Sequence, residues 1–145
     1  MNKRIILTLA LVFLLTLSFA ACSPSKVERV QVALEAATLI PGAEKPCVAE
    51  GLNRVRGSLA IMKSSPTPAN WRLVKDAALA FNVAACTDNA RLIAIVAVIG
   101  RIVQSVDPQP TLSDDSRVTA EDYRNALRHV DEADLKELER LVKGK

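Results

Sequence analysis

Apolar residues recur along this chain at helical spacing, and proline-rich breaks divide them into segments. Val27, Val30, Leu34 and Ala37 fall three or four positions apart, which puts them on one face of a helix. Ser25 stands before them as an N-cap with Glu28 as its capping-box partner, and Pro41-Gly42 closes the segment. A second stripe, Val48, Leu52, Val55, Leu59 and Met62, begins around Cys47 just after Pro46 and stops at Ser64-Ser65-Pro66-Thr67-Pro68. Gly51 and Gly57 weaken that helix by roughly 1 kcal/mol each relative to alanine, and also permit close helix contact. Thr67 caps a third segment with Pro68 in its first helical position; the stripe there is Trp71, Val74, Ala78, Phe81 and Ala85.

Thr87-Asp88-Asn89 is a further helix start. The run Leu92 to Ile99 that follows is apolar on every side, so periodicity alone does not separate helix from buried strand. Its β-branched content favours a strand. The caps, the continuation through Ile102, Val103 and Val106, and the lack of partner strands favour a central buried helix. Arg91 and Arg101 bound it too closely for a comfortable membrane span. Asp107-Pro108-Gln109-Pro110 ends the pattern. Beyond a polar stretch, Thr119 caps another helix, with Glu121 and Asp122 complementing its dipole. Tyr123, Leu127 and Val130 form one stripe and Leu135, Leu138 and Leu141 a second. The phase jumps near Asp131, which predicts a kink or two short helices with Asp131 as the second cap.

The expected fold is therefore all-α. Residues 26–106 form a compact core of about four helices, residues 107–118 a linker, and residues 119–145 an acidic C-terminal helical segment. The leucines of that last segment either pack back onto the core or dock in a partner's groove as an amphipathic helix. Cys47 and Cys86 bracket the second and third segments, and their midpoint falls in the turn at Pro66-Thr67. In an antiparallel hairpin, residues equally far from the turn lie side by side, so these cysteines are expected to form a disulfide. Closing a loop of this size contributes about 4 kcal/mol in the chain-entropy model. Two buried free thiols are the alternative. Zinc is disfavoured, since no histidine or further cysteine lies nearby.

Charge changes the picture mainly when the chain is divided. Residues 22–106 carry 10 basic and 6 acidic groups, net +4, while residues 107–145 carry 7 and 10, net −3. Screening weakens exposed charges as a docking force. Only Trp71, Phe81 and Tyr123 are aromatic beyond residue 21, too few for base stacking, so a nucleic-acid partner is not expected.

The N-terminus is of another kind. Asn2-Lys3-Arg4 is basic, Ile5 to Leu17 is apolar but for two threonines, and Ser18-Phe19-Ala20-Ala21 leads by small residues to Cys22. That order is a secretory signal, and with the terminal cysteine it resembles the lipobox of bacterial lipoproteins. The resemblance implies removal of residues 1–21, a diacylglyceryl thioether on Cys22 and a tether of residues 22–25. Ser18-Phe19-Ala20 also fits ordinary signal cleavage, which would leave Ala21 at the new terminus. Parity favours lipidation: it leaves an even pair, Cys47 and Cys86, whereas simple secretion leaves an odd thiol in an oxidising compartment. Ser23 is not the aspartate that often holds such proteins in the inner membrane, so the resemblance implies the outer membrane, facing the periplasm. Losing Lys3 and Arg4 lowers the 19 basic residues to 17 against 16 acidic ones, so the net basicity belongs largely to the signal.

Catalytic motifs do not assemble. Ser23-Pro24-Ser25-Lys26 matches the Ser-x-x-Lys pattern of penicillin-interacting serine enzymes, yet it sits in the tether with no pocket around it. His129 is the one histidine, on a charged helix, without an orienting partner for general-base work. Asp114-Asp115, and Glu132 with Asp134, lack the glycine and distal glutamate of a calcium loop. Lys145 matches the terminal lysine of the murein lipoproteins, but that family is one unbroken coiled-coil helix, and prolines divide this chain. No catalytic, cofactor or metal residue is expected. The expectation is a non-enzymatic envelope lipoprotein, bound to the membrane through the lipid on Cys22 and to an envelope protein partner. The alternatives are a helical carrier of a small apolar or lipid ligand, and a phage- or mobile-element lipoprotein acting on the outer membrane.

Overall fold

A computed structural model describes residues 25–106 and 118–144. The expected signal segment 1–21, Cys22, Ser23, Asp114-Asp115, most of the expected linker and Lys145 lie outside the described residues. Six α-helices are present among those described: α1 Lys26–Ala37, α2 Pro46–Ser64, α3 Pro68–Leu79, α4 Ala90–Ser105, α5 Ala120–Arg128 and α6 Glu132–Lys143. A short 3-10 turn, Val83–Ala85, joins α3 to α4, and no strand occurs among the described residues.

Caps read from the sequence set most of the helix starts. The Ser25 hydroxyl accepts from the Glu28 amide, and the Glu28 carboxylate accepts from the Ser25 amide at 2.9 Å, closing the capping box of α1. Thr67 accepts from the Asn70 amide at the head of α3, with Pro68 in the first turn. Asn89 accepts from the amides of Arg91 and Leu92 and so starts α4 as a helix. Thr119 and Asp122 form a second capping box on α5. Asp131 accepts from Ala133 at 2.8 Å, and α6 begins there as a separate helix. Gly144, at φ 72°, closes α6 in the left-handed conformation that glycine adopts without strain.

Two expectations need correction. The bundle of about four helices is one of six. Tyr123, Val130, Leu135 and Leu138 are buried in the same cluster as Leu34, Leu52, Leu92 and Ile95. The C-terminal leucines had the option of a partner's groove; here they complete this core, because α4 and α1 each leave an apolar face that α6 covers. The second correction concerns α3, which ends at Leu79 short of Phe81 and Ala85. Phe81 folds back over Gly51 of α2 at a spot where a Cβ would overlap the ring. That contact needs a turn after α3, and Ala85 is left exposed.

α2 and α3 form the antiparallel hairpin, and α4 lies centrally against α1, α3 and α6. Val48, Leu52, Val55, Leu59 and Met62 are all buried, as the stripe requires. α4 buries Leu92, Ile95, Val96, Val98, Ile99, Ile102 and Val103, while Ala97, Arg101 and Gln104 face solvent. No helix among the described residues is long and apolar enough to cross a membrane.

Candidate functional site

Cys47 sits in the first turn of α2 and Cys86 directly after the 3-10 turn, at the open end of the hairpin. Their Cα atoms are 5.7 Å apart and their sulfurs are paired, as equal distance from the turn predicts. That separation fits a disulfide, and Cys47 is exposed rather than a buried thiol. A cleft of about 360 Å³ lies beside the pair, with Gly51, Arg54, Phe81 and Asn82 among its walls.

Among the described residues, the polar groups that the sequence suggested for chemistry take structural roles. His129 caps the end of α5 at the surface, its amide donating to the Ala126 carbonyl. Glu132 accepts from Arg29 at 2.8 Å, and Asp134 pairs with Arg101 at 3.1 Å, so both serve ion pairs between helices. No group of three or more potential metal-ligating side chains gathers among the described residues.

Sequence reasoning missed a set of basic side chains that strap α6 down. Arg29 of α1 reaches both Glu132 and Glu139, the latter at 2.7 Å. Arg101 of α4 reaches Asp134 and Glu137. Lys26 donates to the Val130 carbonyl, and Arg91 donates to the carbonyls of Leu141 and Val142 in the last turn of α6, where the Leu141 carbonyl also accepts from the Gly144 amide. The +4 body and the −3 tail therefore meet through named pairs. The charge division was the available signal, and it did not say which residues faced each other. The hydrogen bond from Arg29 holds the Glu139 carboxyl below the ordinary glutamate value of 4.5, and Glu139 with Glu132 raises the Arg29 guanidinium. Burial pushes the Tyr123 phenol up, opposed by the charge of Arg72.

Further concavities occur among the described residues. Inside the core, a void of about 20 Å³ lies among Val27, Leu59, Trp71, Val103 and Val130, room for about one water and no more. The indole Nε1 of Trp71, buried nearby, has no hydrogen-bond partner among the described residues. A groove of about 470 Å³ runs between α1 and α6, where Val32, Ala33, Ala36 and Val142 make an apolar floor flanked by Arg29, Glu139 and Lys143. Val32 is 62% exposed there. The third cleft, about 220 Å³, opens at the end of the bundle beside Ser25. Val27, Met62, Pro66 and Leu127 form its floor, and Lys63, Arg124 and Arg128 its rim.

Taken as chemistry, these sites offer apolar surface and separate charges rather than a nucleophile, base and oxyanion donors converging on one point. No family model, curated protein or solved structure matches the chain.

Proposed function

We propose that this chain is a bacterial envelope lipoprotein, held in the membrane by acyl groups on Cys22, whose helical body works without catalysis by contact with another envelope protein. The observation that carries the reading is cysteine usage. Cys47 and Cys86 pair with each other across the α2–α3 hairpin, which leaves Cys22, at the end of a secretory signal, as the single unpaired thiol. Acyl chains at about 0.8 kcal/mol per buried methylene hold such a protein at the surface without a membrane-spanning helix. With Ser23 after the cysteine, the periplasmic face of the outer membrane is the proposed location.

Support for contact with a protein comes from exposed aliphatic side chains. Val32, Leu39, Ile61, Leu73 and Leu79 are between 48% and 84% exposed, spread over α1, the turn after it, α2 and α3. Carriage of an apolar ligand within the bundle is the weaker reading, because the internal void of about 20 Å³ is far below the size of a ligand.

The test has two parts. Mass spectrometry of the N-terminal peptide from membranes is expected to show a diacylglyceryl adduct on Cys22; an unmodified terminus at Ala21 overturns the anchor. Photo-crosslinkers placed at Val32, Ile61 and Leu73 in cells are expected to recover one common envelope protein. Recovery of none overturns the contact.

A further inference from the structure

The cleft beside Ser25 is distinguished from the other concavities by its charge and its place in the chain. Three basic side chains rim it, and no carboxylate lines it. Lys63 comes from the last turn of α2, Arg124 and Arg128 from α5, and Ser25 is the residue that starts α1. All three cations are exposed. Glu28 pairs with Lys63 at 2.8 Å and Arg128 touches the Asn125 amide oxygen at 3.3 Å, while Arg124 has no ion-pair partner among the described residues. Of the other carboxylates at this end, Asp122 is buried in the α5 capping box, Glu121 stands one turn before Arg124 outside the cleft, and Asp131 caps α6.

With acyl groups on Cys22, chain length keeps the same end near the membrane. Ser25 follows Cys22 by three residues, and at roughly 3.5 Å per extended residue the connection spans about 10 Å. That is the upper limit of the separation and slightly exceeds the Debye length of about 8 Å at physiological salt, so charges on this end act on headgroups when the tether is less than fully extended, and most strongly at low salt. We propose that the end of the bundle formed by Ser25, Lys63, Arg124 and Arg128 is a seat for an anionic membrane surface, with lipid phosphates at the basic rim and the apolar floor of Val27, Met62, Pro66 and Leu127 toward the interface. The proposal rests on the anchored reading above and goes beyond it. The lipid sets where the protein is, and the basic rim sets which way it faces. With this end down, α6 and the α1 groove run away from the membrane, and the Cys47–Cys86 end points into the periplasm.

The core residues among those described fall between Val27 and Val142, so the chain from residue 22 onward keeps that core without its acyl groups. The experiment uses that chain carrying Cys22→Ser, oxidised so that Cys47 and Cys86 stay paired, in co-sedimentation with phosphatidylcholine vesicles with or without phosphatidylglycerol. Each basic residue at an anionic surface strengthens binding roughly fivefold, so three give about a hundredfold preference for the anionic vesicles at low salt. The triple variant Lys63→Gln/Arg124→Gln/Arg128→Gln is expected to lose that preference. A control of equal charge away from the cleft, Lys45→Gln/Arg54→Gln/Lys143→Gln, is expected to keep it. These side chains are all exposed, and a thermal melt confirms that each variant is folded. Equal binding to both vesicles, or an equal loss in the control, overturns the seat. Acyl groups on Cys22 of protein taken from cells are read separately. A lipidated chain without anionic preference overturns the seat alone; an unlipidated chain overturns the anchor and, with it, the reason for this end to meet a membrane.

Discussion

Glycine separates two roles within one helix. At Gly51 an added Cβ would overlap the ring of Phe81, whereas at Gly57 nothing lies within 4 Å of it. Gly51→Ala is therefore expected to lower stability by about 1–2 kcal/mol, since Phe81 must leave its place. Gly57→Ala is expected to raise it by about 0.5–1 kcal/mol through helix propensity. Urea denaturation of the two variants checks both signs, and equal shifts would show that Phe81 does not rest on Gly51. Titration at Glu139 gives a second residue-scale expectation. Its carboxyl is held down by Arg29 in the folded state, so the unfolded chain takes up the proton first as pH falls. The stabilisation is complete above the ordinary value of 4.5 and is lost as pH drops through the lower folded value. Both partners are partly exposed, which limits such a pair to about 1 kcal/mol or less. Arg29→Gln should flatten that part of the stability–pH curve below pH 5; an unchanged curve would show that the pair is screened out.

At the scale of elements, the α2–α3 hairpin and α6 depend on different forces. The disulfide closes a loop with a sequence separation of 39, for which the chain-entropy model gives about 4 kcal/mol. Cys47→Ser with Cys86→Ser is expected to lower the unfolding free energy by an amount up to that value while helical circular dichroism at 25 °C is retained. A loss below about 1 kcal/mol would mean that the hairpin is held by its apolar stripe alone. α6 is held chiefly by burial. Leu135 and Leu138 are each 1% exposed, so Leu138→Ala is expected to cost about 2–5 kcal/mol. A cost below 1 kcal/mol would place α6 off the core and return it to the role of a free docking helix. The helix starts were legible because caps are local: Ser25, Thr67, Asn89, Thr119 and Asp131 each bind amides within three residues of themselves. The end of α3 was not, because what stops it is the contact of Phe81 with Gly51, thirty residues away in the chain.

For the whole molecule, α6 is a structural layer that lies between α1 and α4, so the chain from α1 to α4 is not a finished bundle. Deleting residues 119–144 would uncover the faces that Tyr123, Val130, Leu135 and Leu138 occupy. Exposed aliphatic surface outside that interface is then what remains for the proposed partner. The candidate clefts were hidden from sequence reading for the same reason that the straps were. Lys63, Arg124 and Arg128 come from two helices about sixty residues apart and show no common motif along the chain.

What the sequence determined by itself was local or symmetric. Helical spacing, caps, prolines and the phase jump at Asp131 follow from interactions within a few residues, and the pairing of Cys47 with Cys86 follows from their equal distance from one turn. The pattern at residues 1–22 that resembles an export signal is likewise contiguous. Tertiary structure alone decided whether the acidic tail closes the core, which carboxylates Arg29 and Arg101 meet, and which cations share a cleft with Ser25. Those outcomes depend on the direction in which each helix crosses its neighbours. Crossing direction comes from how buried faces fit together, and periodicity along a single helix carries no record of the face it will meet.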